Sequence, residues 1–352
     1  MDTEPLLSIC IPTYNRANWL AASLQSLIPQ VVACDGDVEL VVSDNCSTDS
    51  TQSILEEYST CQFFRGHRNS VNVGGTPNMH ILASSLAQGK YFWVFGDDDT
   101  VLEGSVEHIV DLLRKFPDTD LAYVNYSNWI PQPGETAPSI ELIQSTEVCG
   151  SARLDDFPLK TVAELVGMDN NCFAPTCSIV VRRSVGSELF ADSAVLGISG
   201  AASILPHVVF IANNMLKRPA LHIGRRCVFG ANSISWDELL PIYAVKYMPD
   251  LFDLFEHNGC AREAIDPLRD HLLNNSTRRM IRMLRGVNVE NRSEFSIWYF
   301  VWRFRSHKTM WKMLPKVIIL WAISFSPAGL QKIIERSLSA RSNKFRRRRR
   351  TA

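Results

Sequence analysis

Residues 91–99 read Tyr-Phe-Trp-Val-Phe-Gly-Asp-Asp-Asp, a run of five apolar residues followed, after one glycine, by three adjacent carboxylates. An uninterrupted apolar run of this kind is typical of a central strand that is covered on both faces. The three acids repel one another unless a cation neutralises them, and oxygen-only ligands favour Mg²⁺ or Mn²⁺. The alternative is a solvated turn, with Asp99 capping a helix that begins near Glu103.

Strand and helix patterns alternate along the first part of the chain. Apolar runs predict strands at 6–12, 38–42, 61–64 and 91–95, and residues at helical spacing follow the first three of them. Because right-handed crossovers place helices on the faces of a sheet, the alternation predicts an α/β fold with a mainly parallel sheet and helices on both faces. Shorter apolar runs predict further strands at 121–124, 178–181 and 221–223, and the chain beyond residue 236 reads as helical.

Polar side chains cluster directly after three of the predicted strands, at 12–16, 43–49 and 97–99. In open α/β sheets, ligands bind beyond the carboxyl ends of the strands. The three clusters all fall at such ends, so we predict that they meet in one ligand-binding site.

The 352 residues are enough for two domains, which we predict at 1–235 and 236–352. Charge is unevenly distributed: residues 260–352 hold 21 of the 36 Lys and Arg but only 6 of the 37 Asp and Glu. That part therefore carries +15, and residues 1–259 carry −16. The basic part is expected to seek an anionic surface.

Several protein classes lack support in the sequence. The nine cysteines are odd in number, scattered and without a Cys-x-x-Cys pair, which argues against a disulfide framework and a zinc site. The chain has neither of the glycine-rich motifs that bind dinucleotides or ATP phosphates. The first five residues lack the positive region of a secretory signal, so we expect a cytoplasmic protein.

Three motifs together resemble the family 2 glycosyltransferases of bacterial surface-polysaccharide type. They are Ser8–Arg16, Val42–Asp49 and the aspartate-tipped strand at 91–99. The resemblance extends over residues 6–235 and is strongest up to residue 125. It implies a Rossmann-like GT-A fold, a nucleotide-sugar donor, and a diphosphate held through Mg²⁺ or Mn²⁺. The helical C-terminal region, predicted from the residue pattern, lies outside this resemblance.

The resemblance also implies roles for individual residues. Asp44 would accept hydrogen bonds from the base, Asp97 would face the ribose, and Asp98 or Asp99 would bind the metal, since three adjacent aspartates fit an Asp-x-Asp motif in more than one register. For Asp44 the alternative is a turn aspartate that bonds its own backbone, an interpretation we prefer for Asp49. The predicted nucleotide-sugar pocket comprises Pro12, Thr13, Tyr14, Arg16, Asp44, Asp97 and Asp98.

The catalytic base is harder to assign. Inverting members of the family use a carboxylate as general base, often in a Glu-Asp pair in the second half of the domain. Residues 197–207, where such a pair is expected, contain no acid. Asp169 and Asp192 are the nearest upstream carboxylates and His207 is the nearest other candidate, with a structural role as the alternative for each. A catalytically degenerate nucleotide-sugar-binding protein therefore stays open as a second interpretation.

The C-terminal part combines aromatic and basic residues, concentrated at 296–334. Its apolar run at 317–325 is far shorter than the roughly 20 residues that span a bilayer. We expect these helices to lie on the inner membrane surface, with Arg346–Arg350 adding attraction to anionic lipid of about 1 kcal/mol per charge. The alternative is a packed helical cap with a basic end.

The sequence thus predicts a glycosyltransferase, peripheral on the cytoplasmic face of the membrane. It would move a sugar from a nucleotide-diphosphate sugar to a glycan acceptor, a lipid-linked polysaccharide precursor. Nucleic acid is not an expected partner, because residues 1–259 are strongly acidic and no nucleic-acid module is present. The arginine-rich end keeps a nucleic-acid binder as the remaining alternative.

Overall fold

A computed structural model describes residues 4–171, 173–191, 204–232, 238–286, 289 and 291–323. The chain divides into two compact units. The first comprises Met1–Ser235 and Leu251–Leu268, and the second comprises Trp236–Asp250 and Arg269–Ala352. The first unit therefore includes one segment beyond the boundary predicted at residue 235.

The strands of the described residues form one sheet in the first unit. In spatial order the strands run β3-β2-β1-β4-β8-β6-β9-β5, with β7 also paired to β9. Their bounds are β1 Leu7–Thr13, β2 Val38–Asp44, β3 Phe64–Arg68, β4 Tyr91–Val94, β5 Thr100–Val101, β6 Leu121–Trp129, β7 Phe157–Leu159, β8 Ile179–Arg182 and β9 Ala220–Ala231.

The first four strands pair in parallel, as the alternating pattern predicts. β8 is antiparallel to both of its neighbours, β4 and β6, whereas β6 and β9 are again parallel. The predicted α/β architecture with a mainly parallel sheet is confirmed. The strand predicted at 221–223 is much longer than expected, because β9 continues to Ala231.

Helices of the first unit surround this sheet. Their bounds are α1 Ala17–Ala33, α2 Thr51–Tyr58, α3 Gly75–Ile81 with a following π-helical turn Leu82–Leu86, α4 Ser105–Lys115, α5 Ile140–Ser145, α6 Arg183–Gly186 and α7 Pro206–Asn214. α1 shows why they form: Leu20, Leu24, Leu27 and Val31 recur at helical spacing and are fully buried.

The remaining helices are α8 Leu240–Ile242 with the π-helical turn Tyr243–Tyr247, α9 Met248–His257, α10 Arg262–Asn275, α11 Thr277–Arg285, α12 Ile297–Arg303 and α13 Lys308–Ile323. In the second unit, the carboxylate of Asp250 accepts from Arg303 Nη1 at 2.5 Å and from Lys246 Nζ at 3.0 Å. No helix in the described part of the chain combines the length and apolar character that crossing a bilayer requires.

β4 lies in the middle of the core, as its apolar run predicts. Tyr91 and Trp93 are fully buried, and each satisfies its polar atom by a hydrogen bond to a backbone carbonyl. Trp93 Nε1 donates to Cys177 O at 2.9 Å, and the Tyr91 hydroxyl donates to Thr119 O at 3.0 Å. Large aromatic burial with satisfied polar tips fixes this strand, and with it the acidic turn at its end.

Candidate functional site

The end of β1 and the acidic turn after β4 are held together directly. Thr13 Oγ1 donates to Asp97 Oδ2 at 2.8 Å. The guanidinium of Arg16 bridges two acids, with Nε 3.0 Å from Asp97 Oδ1 and Nη2 2.5 Å from Asp98 Oδ2. These contacts join two of the three predicted polar clusters. The third cluster also meets them, because Ser47 Oγ accepts from the Asn15 N–H at 2.8 Å and Asn15 Oδ1 accepts from the Thr48 N–H at 2.7 Å. Loops that follow neighbouring parallel strands are expected to meet in this way.

The acidic turn itself is mostly buried. Asp97 and Asp99 expose only 7% and 8% of their surface. Asp99 accepts hydrogen bonds from the backbone N–H groups of Gly96 and Ala231, at 3.2 and 3.3 Å. A solvated turn is thus wrong, and so is helix capping by Asp99, because α4 begins at Ser105, directly after Gly104 with φ +67°.

Burial and crowding change the acidity of this turn. Burial raises the pKa of Asp97 to about 7, although Arg16 opposes the rise. Burial also raises the pKa of Asp99 to about 7, the neighbouring Asp98 adds to the rise, and a hydrogen bond from the Cys177 thiol opposes it. Charged forms of these acids are therefore costly without a nearby cation.

Two carboxylate oxygens of the acidic turn lie beside Gly96. A Cβ placed on Gly96 would meet Asp99 Oδ2 at 2.7 Å and Asp98 Oδ1 at 2.9 Å, so these two oxygens converge beside the glycine. Among the described residues, no group of three or more His, Cys, Asp or Glu side chains is arranged to hold an ion by itself. Mg²⁺ is usually held by one or two carboxylates together with substrate phosphates.

Asp44 ends β2 and is fully buried. It accepts from the backbone N–H of Ser47 at 2.9 Å and from Arg68 Nη1 at 2.6 Å. Arg68 lies opposite Asp44 at the end of β3 and exposes 40% of its side chain. Arg68 is not among the site residues predicted from the sequence, although its position at a third strand end is a signal that could have identified it.

Asp49 has the structural role that we preferred for it. Its carboxylate accepts from the backbone N–H groups of Ala17 and Thr51, both at 3.0 Å, and from the Thr51 hydroxyl at 2.6 Å. Burial alone would raise the pKa of Asp49, but these hydrogen bonds lower it below its ordinary value. Asp49 thus ties the loop after β2 to the start of α1.

Buried amides hold the loops after β2 and β3 together. Asn69 Nδ2 donates to Asn45 Oδ1 at 3.0 Å and to Asn78 Oδ1 at 2.9 Å, and Asn45 Nδ2 donates to Asn72 Oδ1 at 2.7 Å. This network fixes the loops that follow β2 and β3 relative to each other. Tyr14, another residue of the predicted nucleotide-sugar pocket, is 42% exposed.

Of the two carboxylates predicted as candidate catalytic bases, the structure describes Asp169. Asp169 is buried and accepts from the hydroxyls of Tyr126 and Tyr123, at 3.0 and 3.3 Å, and from the N–H of Asn171 at 2.9 Å. Burial raises the pKa of Asp169. Asp192 and most of the acid-free stretch 197–207 lie outside the described residues.

His207 has the structural role that was its alternative. Its Nε2 faces the backbone carbonyls of Phe173 and Ala174, at 3.1 and 3.2 Å. Burial lowers the pKa of His207 to about 4, so the imidazole is neutral at physiological pH. A neutral ring that donates to two main-chain carbonyls is a core contact.

Comparisons with known proteins agree with this architecture. The profile described as Glycosyl transferase family 2 matches residues 8–185, half of the chain. Over 94% of its length the chain superposes on the crystal structure of Staphylococcus aureus TarS 1–349 in complex with UDP, covering 91% of that structure with a TM-score of 0.56 and 14% identity. The chain therefore belongs to glycosyl transferase family 2, a family of sugar-transferring enzymes, and the predicted GT-A fold is confirmed.

Curated relatives are similar over shorter stretches. The abequosyltransferase RfbV of Salmonella typhimurium is 42% identical over 106 residues, which are 29% of this chain and 30% of that protein. The poly(ribitol-phosphate) beta-N-acetylglucosaminyltransferase TarS of Staphylococcus aureus is 25% identical over 180 residues, which are 47% of this chain and 31% of that protein. The matched stretches thus span about a third of the length of these relatives.

Proposed function

We propose that this protein transfers a sugar from a nucleotide-diphosphate sugar to a glycan acceptor. The observation that carries the proposal is the convergence of the ends of β1 and β4 on a buried acidic turn, in a fold shared with a structure crystallised with UDP. The donor pocket would comprise Pro12, Thr13, Tyr14, Arg16, Asp44, Asp97 and Asp98. Asp44, held by Arg68, would accept from the base, and Asp97 would face the ribose.

Asp98 and Asp99 are the proposed ligands of Mg²⁺ or Mn²⁺. Their converging oxygens beside Gly96 and the burial of Asp99 support this assignment. When bound, the ion would stabilise the negative charge that develops on the departing diphosphate. The backbone N–H groups of Gly96 and Ala231 would keep the Asp99 carboxylate oriented.

In the proposed reaction, an acceptor hydroxyl forms a bond to the anomeric carbon while the bond from that carbon to the diphosphate breaks. The hydroxyl proton passes to a general base, for which Asp169 and Asp192 are the candidates. The raised pKa of Asp169 suits proton uptake, but its three hydrogen bonds within the core favour the structural alternative. The alternative is a degenerate protein that binds the nucleotide sugar without transferring it. An assay of sugar release from the donor separates the two, because only the enzyme would release the sugar.

A thermal-shift screen tests donor binding. We expect UDP or another nucleoside diphosphate to raise the melting temperature in the presence of Mn²⁺, and to do so much less in EDTA, because metal and phosphates share the site. A nucleoside without phosphates is the matched control. Equal shifts with and without Mn²⁺ for every diphosphate would remove the metal from the proposal, and the absence of any shift would remove the donor.

We further propose that the second unit attaches to the inner membrane surface, which would place the enzyme beside a lipid-linked acceptor. α12 buries Ile297 and Phe300, and its opposite face exposes Trp298, Tyr299 and Trp302, each by more than half. The guanidinium of the following Arg305 stacks on the Trp302 ring, 4.2 Å from its centroid. Aromatic side chains paired with arginine suit the headgroup layer of a bilayer.

α13, like α12, exposes apolar and basic side chains. Its exposed apolar side chains include Trp311, Ile318 and Ile319, which recur at helical spacing along one stripe. The lysines at 308, 312 and 316 are exposed and recur every four residues, so they form a second stripe. Apolar and cationic stripes side by side are typical of helices that lie in the interface of anionic membranes. Arg346–Arg350 lie outside the described residues.

Vesicle flotation with the full chain tests this attachment. We expect the triple variant Trp298→Ser, Trp302→Ser, Trp311→Ser to bind phosphatidylglycerol vesicles at least about tenfold more weakly, because each exposed ring contributes apolar burial. The double variant Val32→Ser, Leu154→Ser removes exposed apolar side chains from the first unit and should bind normally. Equal flotation of wild type and the triple variant contradicts the proposal, and tight RNA binding instead would favour the nucleic-acid alternative.

A further inference from the structure

Arg16 occupies an unusual position for a residue beside a candidate metal site. Its single guanidinium reaches two separate acids, Asp97 through Nε at 3.0 Å and Asp98 through Nη2 at 2.5 Å. The Asp98 oxygen that it contacts, Oδ2, is not the one that converges with Asp99 beside Gly96, which is Oδ1. Arg16 and a metal ion would therefore approach the same carboxylate from its two oxygens.

Arg16 and a metal ion bound to Asp98 would oppose each other electrostatically. A divalent ion on Asp98 Oδ1 would lie within a few ångströms of the guanidinium, and like charges at such a distance repel strongly in a site that is mostly buried. Arg16 already neutralises part of the acidic turn, so it also reduces the attraction that the turn has for a metal. A diphosphate would change both effects, because its negative charge offers the guanidinium a second partner.

From this arrangement we infer that Arg16 is a built-in counter-ion that competes with the metal for the acidic turn until a nucleoside diphosphate arrives. The inference rests on the proposed function and adds an order to it: the metal alone binds weakly, and metal and diphosphate bind cooperatively. Such cooperativity is a coupling free energy between the two ligands, and Arg16 supplies part of it.

The test measures Mn²⁺ binding to the full chain by electron paramagnetic resonance, without nucleotide and with UDP. We expect Arg16→Gln to bind Mn²⁺ alone about tenfold or more tightly than the wild type, since the competing charge is gone. UDP should then tighten Mn²⁺ binding by a smaller factor in the variant than in the wild type. Without metal, the variant should melt at a lower temperature, and Mn²⁺ should raise its melting temperature more.

Two further variants separate a counter-ion from a structural residue. Arg16→Lys keeps the positive charge and should retain weak binding of Mn²⁺ alone. Arg114→Gln removes an exposed arginine that pairs with Asp37 and should leave the Mn²⁺ affinity unchanged. Equal or weaker Mn²⁺ binding by Arg16→Gln overturns the inference while leaving the metal site in place. The absence of Mn²⁺ binding in every variant and in the wild type, with and without UDP, overturns the metal site as well.

Discussion

Replacing Asp98 or Asp99 by asparagine is expected to abolish metal-dependent donor binding while the protein still melts cooperatively. Each substitution removes one of the two anionic oxygens that converge beside Gly96, and a neutral amide is a poor ligand for Mg²⁺ or Mn²⁺. We expect Mn²⁺-dependent transfer to fall by about 100-fold or more, because stabilising the charge on a departing diphosphate usually lowers the reaction barrier more than any other single interaction.

Both asparagine variants should still fold, because the ionised carboxylates that they remove are destabilised by burial and crowding. Asp99 is buried and its pKa is raised by burial, so a neutral side chain there avoids a desolvation penalty. The carbonyl oxygen of asparagine still accepts one of the two backbone N–H groups that Asp99 now binds. The effect on the free energy of unfolding is therefore expected to be small beside the effect on metal binding.

The measurements are Mn²⁺-dependent binding of UDP, sugar transfer and thermal melting for each variant. Asp111→Asn, which changes an exposed carboxylate on α4, is the matched control and should behave like the wild type. Testing Asp98 and Asp99 separately also settles the register that the sequence left open. Full transfer activity in both variants would contradict the assignment of the acidic turn as the metal site.

The sequence predicted β1, β2 and β4 of the parallel half because each of them is apolar. β3 was misplaced: the strand predicted at 61–64 overlaps the observed Phe64–Arg68 only at Phe64, because most of β3 is polar or charged and half-exposed. An apolar pattern does not show the direction of a strand. The apolar residues at 179–181 suit a strand of either direction. The antiparallel direction of β8 is defined only by its pairing with β4 and β6. The length of β9 was missed because Arg225 and Arg226 interrupt its apolar pattern, and the sheet absorbs them through register shifts opposite Asn125.

Those residues of the candidate site that lie at or directly after strand ends could be predicted from the sequence. Thr13 ends β1, and Arg16 and the aspartates follow β1 and β4. Parallel pairing of these two strands was therefore enough to predict that the residues would meet. Two other residues of the site, Arg68 and Cys177, could not be predicted in this way, because their positions depend on how distant parts of the chain pack. Arg68 faces Asp44 because β2 and β3 pair in one particular register, and the Cys177 thiol reaches Asp99 from a part of the chain far away in sequence.

Replacing Gly96 by alanine is expected to weaken metal-dependent donor binding although no acidic residue is replaced. The new Cβ would lie 2.7 Å from Asp99 Oδ2 and 2.9 Å from Asp98 Oδ1, closer than real contacts allow. Both atoms are the ends of side chains, so the carboxylates can turn away while the backbone keeps its path. We expect Mn²⁺-dependent UDP binding to weaken by about tenfold or more, because a metal site depends on the position of its ligands.

Two other glycines make the test specific. Gly230→Ala would bring a Cβ to 2.8 Å from Asn128 Oδ1 and 3.2 Å from Asp99 Oδ1, and it should weaken metal binding less, since it crowds only one of the two acids. Gly75→Ala meets open space at the start of α3 and should bind metal and UDP like the wild type. Normal Mn²⁺-dependent UDP binding by Gly96→Ala, in a protein that melts like the wild type, would mean that the two carboxylates need not converge. The metal would then have to be held by a different pair of atoms.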